Sequence, residues 1–337
     1  MNLRSVTKSL ARMALFCAIP VMGLSSCNSI FTDQSHCPKG LALSFRYEYN
    51  MEYVNAFHKK GDCLSLFVFD DSGRLVGRYD ETGEALRSED YVMNLSLDEG
   101  RYTLLAYGGI ACEDASFELS GFPSKALLPS VADLRLSLKG DVHESSSSLH
   151  PLFYGLNYVE VTGKEDFIRD TVQMVKNTNN FRIILQQASG KPLYSKDFVF
   201  SISDDNALLD GLNEPLRNGG INYAPWTSGE KLIGGSEEDE TAVSVAYAEL
   251  STSRLTTGTG ARLKIARADN GETILNIPLS EYLLLLRSDL YAEMKAQEFL
   301  DRESEWSMIF FLDDGLRWIN TRIVINDWVV RINNTDL

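Results

Sequence analysis

In LALSFRYEYN (residues 41–50) the apolar side chains fall at every second position. Leu41, Leu43, Phe45, Tyr47 and Tyr49 share one side; Ala42, Ser44, Arg46 and Glu48 share the other. Period two is the repeat of a half-buried strand, and winding it into a helix would scatter the apolar set around the axis. The pattern recurs along the chain. CLSLFVFD (63–70) is apolar on both faces, as a strand covered on both sides must be, and DSG (71–73) supplies a turn before RLVGRY. YVMNLSL (91–97), the turn DEG and RYTLLAYGG (101–109) read as two joined strands, ADLRLSLKG (132–140) adds another, and Ser145–Ser148 reads as a flexible surface loop. After FYGLNYVEV (153–161) a second series follows in TVQMV, NFRIILQQ, DFVFSISD and VSVAYAEL, with GGSEEDE (234–240) as a solvated turn. One helix is predicted over EYLLLLRSDLYAEMKAQEFL (281–300), where Leu283, Leu286, Leu290 and Met294 fall at helical spacing after Pro278 and Ser280. WSMIFFL (306–312) and RWINTRIVINDWVVRIN (317–333) close the chain as strands. Short strands in succession with one late helix predict two β-sandwich domains, 38–165 and 166–337.

The first residues have a different character. Arg4, Lys8 and Arg12 form a positive segment without an acidic residue, and ALFCAIPVMG (14–23) is an uncharged run too short to span a bilayer. Leu-Ser-Ser-Cys at 24–27 is similar to a bacterial lipobox, in which the cysteine is acylated and the leader is cut before it. Residues 1–26 are therefore expected to be a lipoprotein signal peptide, Cys27 the lipid attachment point, and 27–37 a lipidated tether. Two or more acyl chains hold stably where one does not, at ~0.8 kcal/mol per buried CH₂. Loss of the three leader cations leaves 29 basic against 47 acidic residues. Such a surface disfavours nucleic acid and anionic head groups, so attachment is expected through lipid rather than charge. YLLLLRSDL (282–290) is the nearest later approach to a membrane span and contains Arg287 and Asp289.

Chemistry-bearing patterns are sparse. His36, His58, His143 and His150 share no metal-binding spacing, and no nucleophile elbow, phosphate loop or dinucleotide fingerprint occurs. SDDNALLDG (203–211) lacks the glycine a calcium loop needs after its third acidic position. Asp313 and Asp314 precede a glycine, as at a hairpin tip. The reading is a non-enzyme with no metal and no cofactor. The four tryptophans could form a sugar-stacking platform, but Trp328 in IVINDWVV reads as core.

CPKGLALSFRYEYN with NAFHKKGDCLSLFVFDDSGRLV resembles the start of the FimB-type fimbrial anchor (minor-fimbria tether) lipoproteins of Gram-negative anaerobes. The resemblance continues in DEGRYTLLAYGG, QEFLDRESEWSMIFFLDD and the terminal VINDWVV, and is looser over about 165–260. It implies two tandem transthyretin-like (Ig-like) β-sandwich domains and an outer-membrane lipoprotein that faces the surface, tethers a pilus and limits its length. Its implied partners are fimbrial subunits, joined by strand addition. Polymerising subunits lose their first strand by cleavage after an arginine, whereas an anchor keeps it. Between Cys27 and LALSFRYEYN there is no arginine; Arg46 lies within the strand. In the last strands Thr321, Ile323, Ile325, Trp328 and Val330 are the candidate contact with the next subunit, and an ordinary closing strand is the other reading. A surface glycan-binding lipoprotein is the alternative function, and would require solvent-facing aromatics in a groove.

Cys37, Cys63 and Cys112 make an odd set in an exported protein, so at most one internal pair forms. Cys63 opens a covered strand, where a thiol packs as a small hydrophobe. Cys37 and Cys112 flank strand ends and are the expected disulfide.

Overall fold

The computed structural model describes residues 40–121, 131–141, 143–162, 167–233, 243–287, 291–325 and 328–333. The fold is mainly β, organised as sandwich domains. In the first, β1 (Gly40–Arg46) lies between β4 (Val92–Ser96) and β10 (Phe167–Gln173). Opposite lie β2 (Cys63–Asp70), β3 (Leu75–Thr82), β5 (Gly100–Gly108), β9 (Phe153–Val161) and β11 (Val175–Lys176), in the order β11-β9-β5-β2-β3. The alternation read in residues 41–47 is the packing: Leu41, Leu43, Phe45 and Tyr47 face Leu64, Leu66, Val68, Leu104 and Ala106 across this core. A one-turn helix, α1 (Phe57–Lys60), contributes Phe57, which meets Phe153 edge-on with ring centroids 5.5 Å apart.

CLSLFVFD is covered on both faces, as predicted. Leu64, Leu66 and Val68 point into the first core, while Phe67 and Phe69 point into a second and larger cluster. That cluster begins on the outer face of β2, β5 and β9 and runs through a small sheet into the second sandwich. The small sheet is β14-β7-β6, where β6 (Phe117–Ser120) and β7 (Arg135–Leu138) pair with the much later β14 (Leu208–Asp210). Likewise β8 (Glu144–Ser145) runs parallel to β15 (Ile221–Tyr223), so part of the predicted serine loop belongs to a sheet.

The second sandwich stacks two sheets. One is β19-β18-β13-β15-β8, using β13 (Phe198–Asp204), β18 (Arg262–Arg267) and β19 (Thr273–Pro278). The other is β16-β17-β12-β20-β21-β22, built from β12 (Thr178–Gln187), β16 (Thr227–Ile233), β17 (Val243–Ser253), β20 (Glu305–Leu312), β21 (Trp318–Ile325) and β22 (Trp328–Asn333). Phe181, Ile183 and Leu185 of β12 and Trp306, Met308 and Phe310 of β20 line its inner face at period two.

Two expectations are corrected. The chain does not pass to the second domain near residue 165: β10 pairs in parallel with β1, Gly40 opposite Phe167, and β11 joins β9. The second sandwich starts at β12, because the free edge of β1 is matched by a strand arriving after a long crossover. Nor is 281–300 a single helix. α2 (Leu279–Leu284) packs on β18 and β19, whereas α3 (Ala296–Arg302) packs beside β11 at the domain junction. A straight helix would set Leu283 and Phe299 ~24 Å apart, whereas the two short helices pack against each other and bring both residues into one apolar cluster. Arg287 bridges the break by donating to the Met294 carbonyl at 2.8 Å.

Candidate subunit interface and an adjacent cleft

The C-terminal hairpin ends the six-stranded sheet. β20 pairs with β21, β21 pairs with β22, and among the described residues β22 has a strand on one side only. A strand with one partner presents a row of backbone donors and acceptors to any extended segment of another chain. The hairpin before it is well pinned. Asp313 accepts from the Gly315 and Arg317 amides at 2.8 Å each and from Arg317 Nε at 2.9 Å. Those donors hold its carboxyl below the usual range, the Arg317 amide foremost. Asp313 and Asp314 thus sit at a hairpin tip, as read from sequence.

Of the five predicted contact residues, Thr321 is fully buried and accepts from Trp318 Nε1 at 2.9 Å. The register sets Thr321 opposite the buried Phe310 and Ile323 opposite the buried Met308. Val330 pairs with Ile323 and Trp328 with Ile325. The side chains of residues 323–333 are outside the described part, as are Cys27, Cys37 and GGSEEDE. Among the described residues, the backbone edge of β22 is the part of the hairpin left without a strand partner.

The predicted disulfide is overturned. Cys112 is bonded to Cys63, with Cα atoms 5.5 Å apart, so it cannot pair with Cys37. The antiparallel register of β2 and β5 puts Leu64 opposite Gly108, which brings the start of β2 against the turn that carries Cys112. Gly109 makes that turn: its φ is +94°, and a Cβ there would stand 2.1 Å from the Pro151 carbonyl oxygen. A cysteine heading a covered strand read as inert packing, and only the strand register revealed its partner. Beside the bridge, His150 contacts two carboxylates, Nε2 to Asp62 at 3.0 Å and Nδ1 to Asp114 at 3.1 Å. Cys112 lies close to Asp62 and His150, but its sulfur is committed to Cys63 and is no thiolate ligand.

On the outer face of the same sheet, a cleft of ≈ 320 Å³ opens over β17, β12 and β20 beside Trp226. Trp226 is 42% exposed, in contrast to the buried Trp306. Arg182 pairs with Glu249 at 2.7 Å. Glu305 accepts from Asn180 at 3.1 Å and from Lys176 at 2.9 Å. Burial pushes the Lys176 ammonium pKa down and Glu305 opposes that shift. No motif in the sequence marked this group, because its members come from four strands and a loop.

Two sandwiches joined by a shared apolar cluster define a mainly β architecture that, among the described residues, ends in an open sheet edge. The profile described as Fimbrillin-A associated anchor proteins Mfa1 and Mfa2 matches residues 34–334, and the chain belongs to that family. A solved structure from Bacteroides thetaiotaomicron, described as a candidate adhesin, is 46% identical with a TM-score of 0.81, over 89% of this chain and 100% of that one. A second from the same organism, described as a candidate polysaccharide-binding protein, is 28% identical with a TM-score of 0.74, again over 89% and 100%. The fimbrial anchor protein Mfa2 from Porphyromonas gingivalis shares the fold at 16% identity and a TM-score of 0.64, over 88% and 99%. No curated protein sequence matches the chain. The family is one of structural, surface-associated proteins. Among the described residues, no helix is long and apolar enough to cross a membrane.

Proposed function

We propose that this protein is a non-catalytic outer-membrane lipoprotein that tethers a fimbria through Cys27, faces the surface and limits the length of the fibre. The family match over residues 34–334 carries the reading. The place of β1 supports it. Lying between β10 and β4 with Leu41 and Leu43 fully buried, β1 is a central strand of the first sandwich. Its only arginine, Arg46, pairs with Glu48 at 2.7 Å. Cleavage after Arg46 would remove the strand and separate the protein from its lipid, so an anchor has reason to keep it. The next subunit joins at the β22 edge, with backbone pairing supplying affinity and alternate side-chain pockets supplying specificity.

Cross-linking in whole envelopes tests both halves. The native protein is expected in the membrane fraction with fimbrial subunits attached. Cys27→Ala should release it while leaving the subunit cross-link intact. Truncation before Trp328 should keep it on the membrane and abolish the cross-link. Membrane retention of Cys27→Ala would overturn the lipid anchor, and an unchanged cross-link after truncation would overturn the β22 edge as the joint.

A further inference from the structure

The cleft beside Trp226 is separate from the β22 edge, since β21 stands between β20, the last strand beneath the cleft, and β22. We infer that it is a binding subsite for an uncharged pyranose unit of a saccharide. The inference rests on this chain's own residues. Trp226 lies in the connection between β15 and β16, and its amide donates to the Glu249 carbonyl at 3.0 Å, which fixes the residue at the rim. An indole presents a negative face, complementary to the axial C–H face of a sugar ring. Phe181 and Trp306 border the cleft but their side chains belong to the inner core, so its walls are polar and Trp226 is its exposed aromatic surface. Its ≈ 320 Å³ is at the small end of ligand pockets, roughly 300–1,000 Å³.

The walls select for hydroxyl groups rather than charge. Glu249 is neutralised by Arg182, and Glu305 by Lys176. Neither pair leaves a free charge to attract an ion. Each carboxylate has about four lone-pair sites and spends only some of them on these partners, so both can still accept from sugar hydroxyls. Arg182 retains N–H donors beyond those engaged with Glu249, and Ser307, opposite Arg182 across β12 and β20, adds a hydroxyl. Prior pairing also orients these groups before the ligand arrives, which lowers the ordering cost of binding. A nucleotide or other polyanion is disfavoured by the −15 formal charge of the chain. An extended peptide would add at an edge, whereas this cleft opens on the face of paired strands.

The test uses the chain without its leader and soluble malto-, cello-, manno- and xylo-hexaose as probes, with binding followed by calorimetry and saturation-transfer NMR. At least one neutral hexaose should bind, with signal transfer to its ring C–H protons. Trp226→Ala should weaken that binding by about tenfold or more, equivalent to ~1.4 kcal/mol. Trp226→Phe should recover part of the loss, and Arg182→Gln should weaken binding while the unfolding midpoint stays in place. Three outcomes would overturn the proposal: no hexaose binding at about 10 mM, an affinity within about twofold after Trp226→Ala, or tighter binding of polygalacturonate than of the neutral probes.

Discussion

Asp204 shows how burial at a single residue sets a pH dependence. It is 7% exposed at the end of β13, and desolvation pushes its carboxyl from 3.8 to about 6, against hydrogen bonds from Thr259 and the Asp205 amide that favour the charged form. The folded state thus holds this proton more tightly than the unfolded state. Its contribution to stability is complete below 3.8 and is lost as pH rises through about 6. Asp204→Asn keeps an oxygen for the Asp205 amide and removes the ionisation. Relative to the native chain, the variant should therefore gain ~2 kcal/mol between pH 4 and pH 7. Urea unfolding at both values measures this, and a pH-independent difference would contradict it.

Among the elements, the disulfide ties the start of β2 to the turn after β5. It closes a loop with a sequence separation of 49, so on chain-entropy grounds it stabilises by about 4 kcal/mol. Cys63→Ala with Cys112→Ala should lower stability by roughly that amount. Mapping of the unreduced protein should return a Cys63–Cys112 linked peptide and leave Cys37 free to alkylate. A Cys37–Cys112 peptide would contradict the register of β2 and β5. The same register explains why the sequence misled: Cys63 has the pattern of a core residue and is one, at 1% exposed, yet its sulfur also faces the Gly109 turn. Hydrophobic spacing at 281–300 likewise revealed which residues are buried but not that two short helices, packed on each other, bury them.

At the scale of the whole molecule, Arg302 clamps one sandwich to the other. From α3 its guanidinium lies 4.1 Å from the Tyr49 ring centroid and 4.6 Å from that of Tyr53. It donates to the carbonyls of Glu48 at 3.4 Å and Asn50 at 3.3 Å, while Glu298 accepts from its Nε at 2.9 Å. A planar cation between two rings with donors on its edge suits arginine and not lysine. Arg302→Ala should cost ~2 kcal/mol and separate the unfolding of the two sandwiches into distinct steps, visible by calorimetry. Arg302→Lys should recover less than half. A single undiminished transition in Arg302→Ala would show that the shared apolar cluster alone couples the domains. In the proposed tether, a load applied at the C-terminal hairpin would pass to the N-terminal domain through this junction.

Strand periodicity, the covered character of CLSLFVFD and the hairpin tip at Asp313 were legible in the sequence. Each is a local consequence of which side chains alternate and which residues tolerate a turn. The family was legible too, because its motifs lie in order along both ends of the chain. The partner of Cys63, the return of β10 to the first sandwich, the broken helix and the cleft at Trp226 were not. Each depends on which strands become neighbours. The tertiary structure decided that by matching free edges and burying both faces of β2, a choice that alternation within any one strand leaves open.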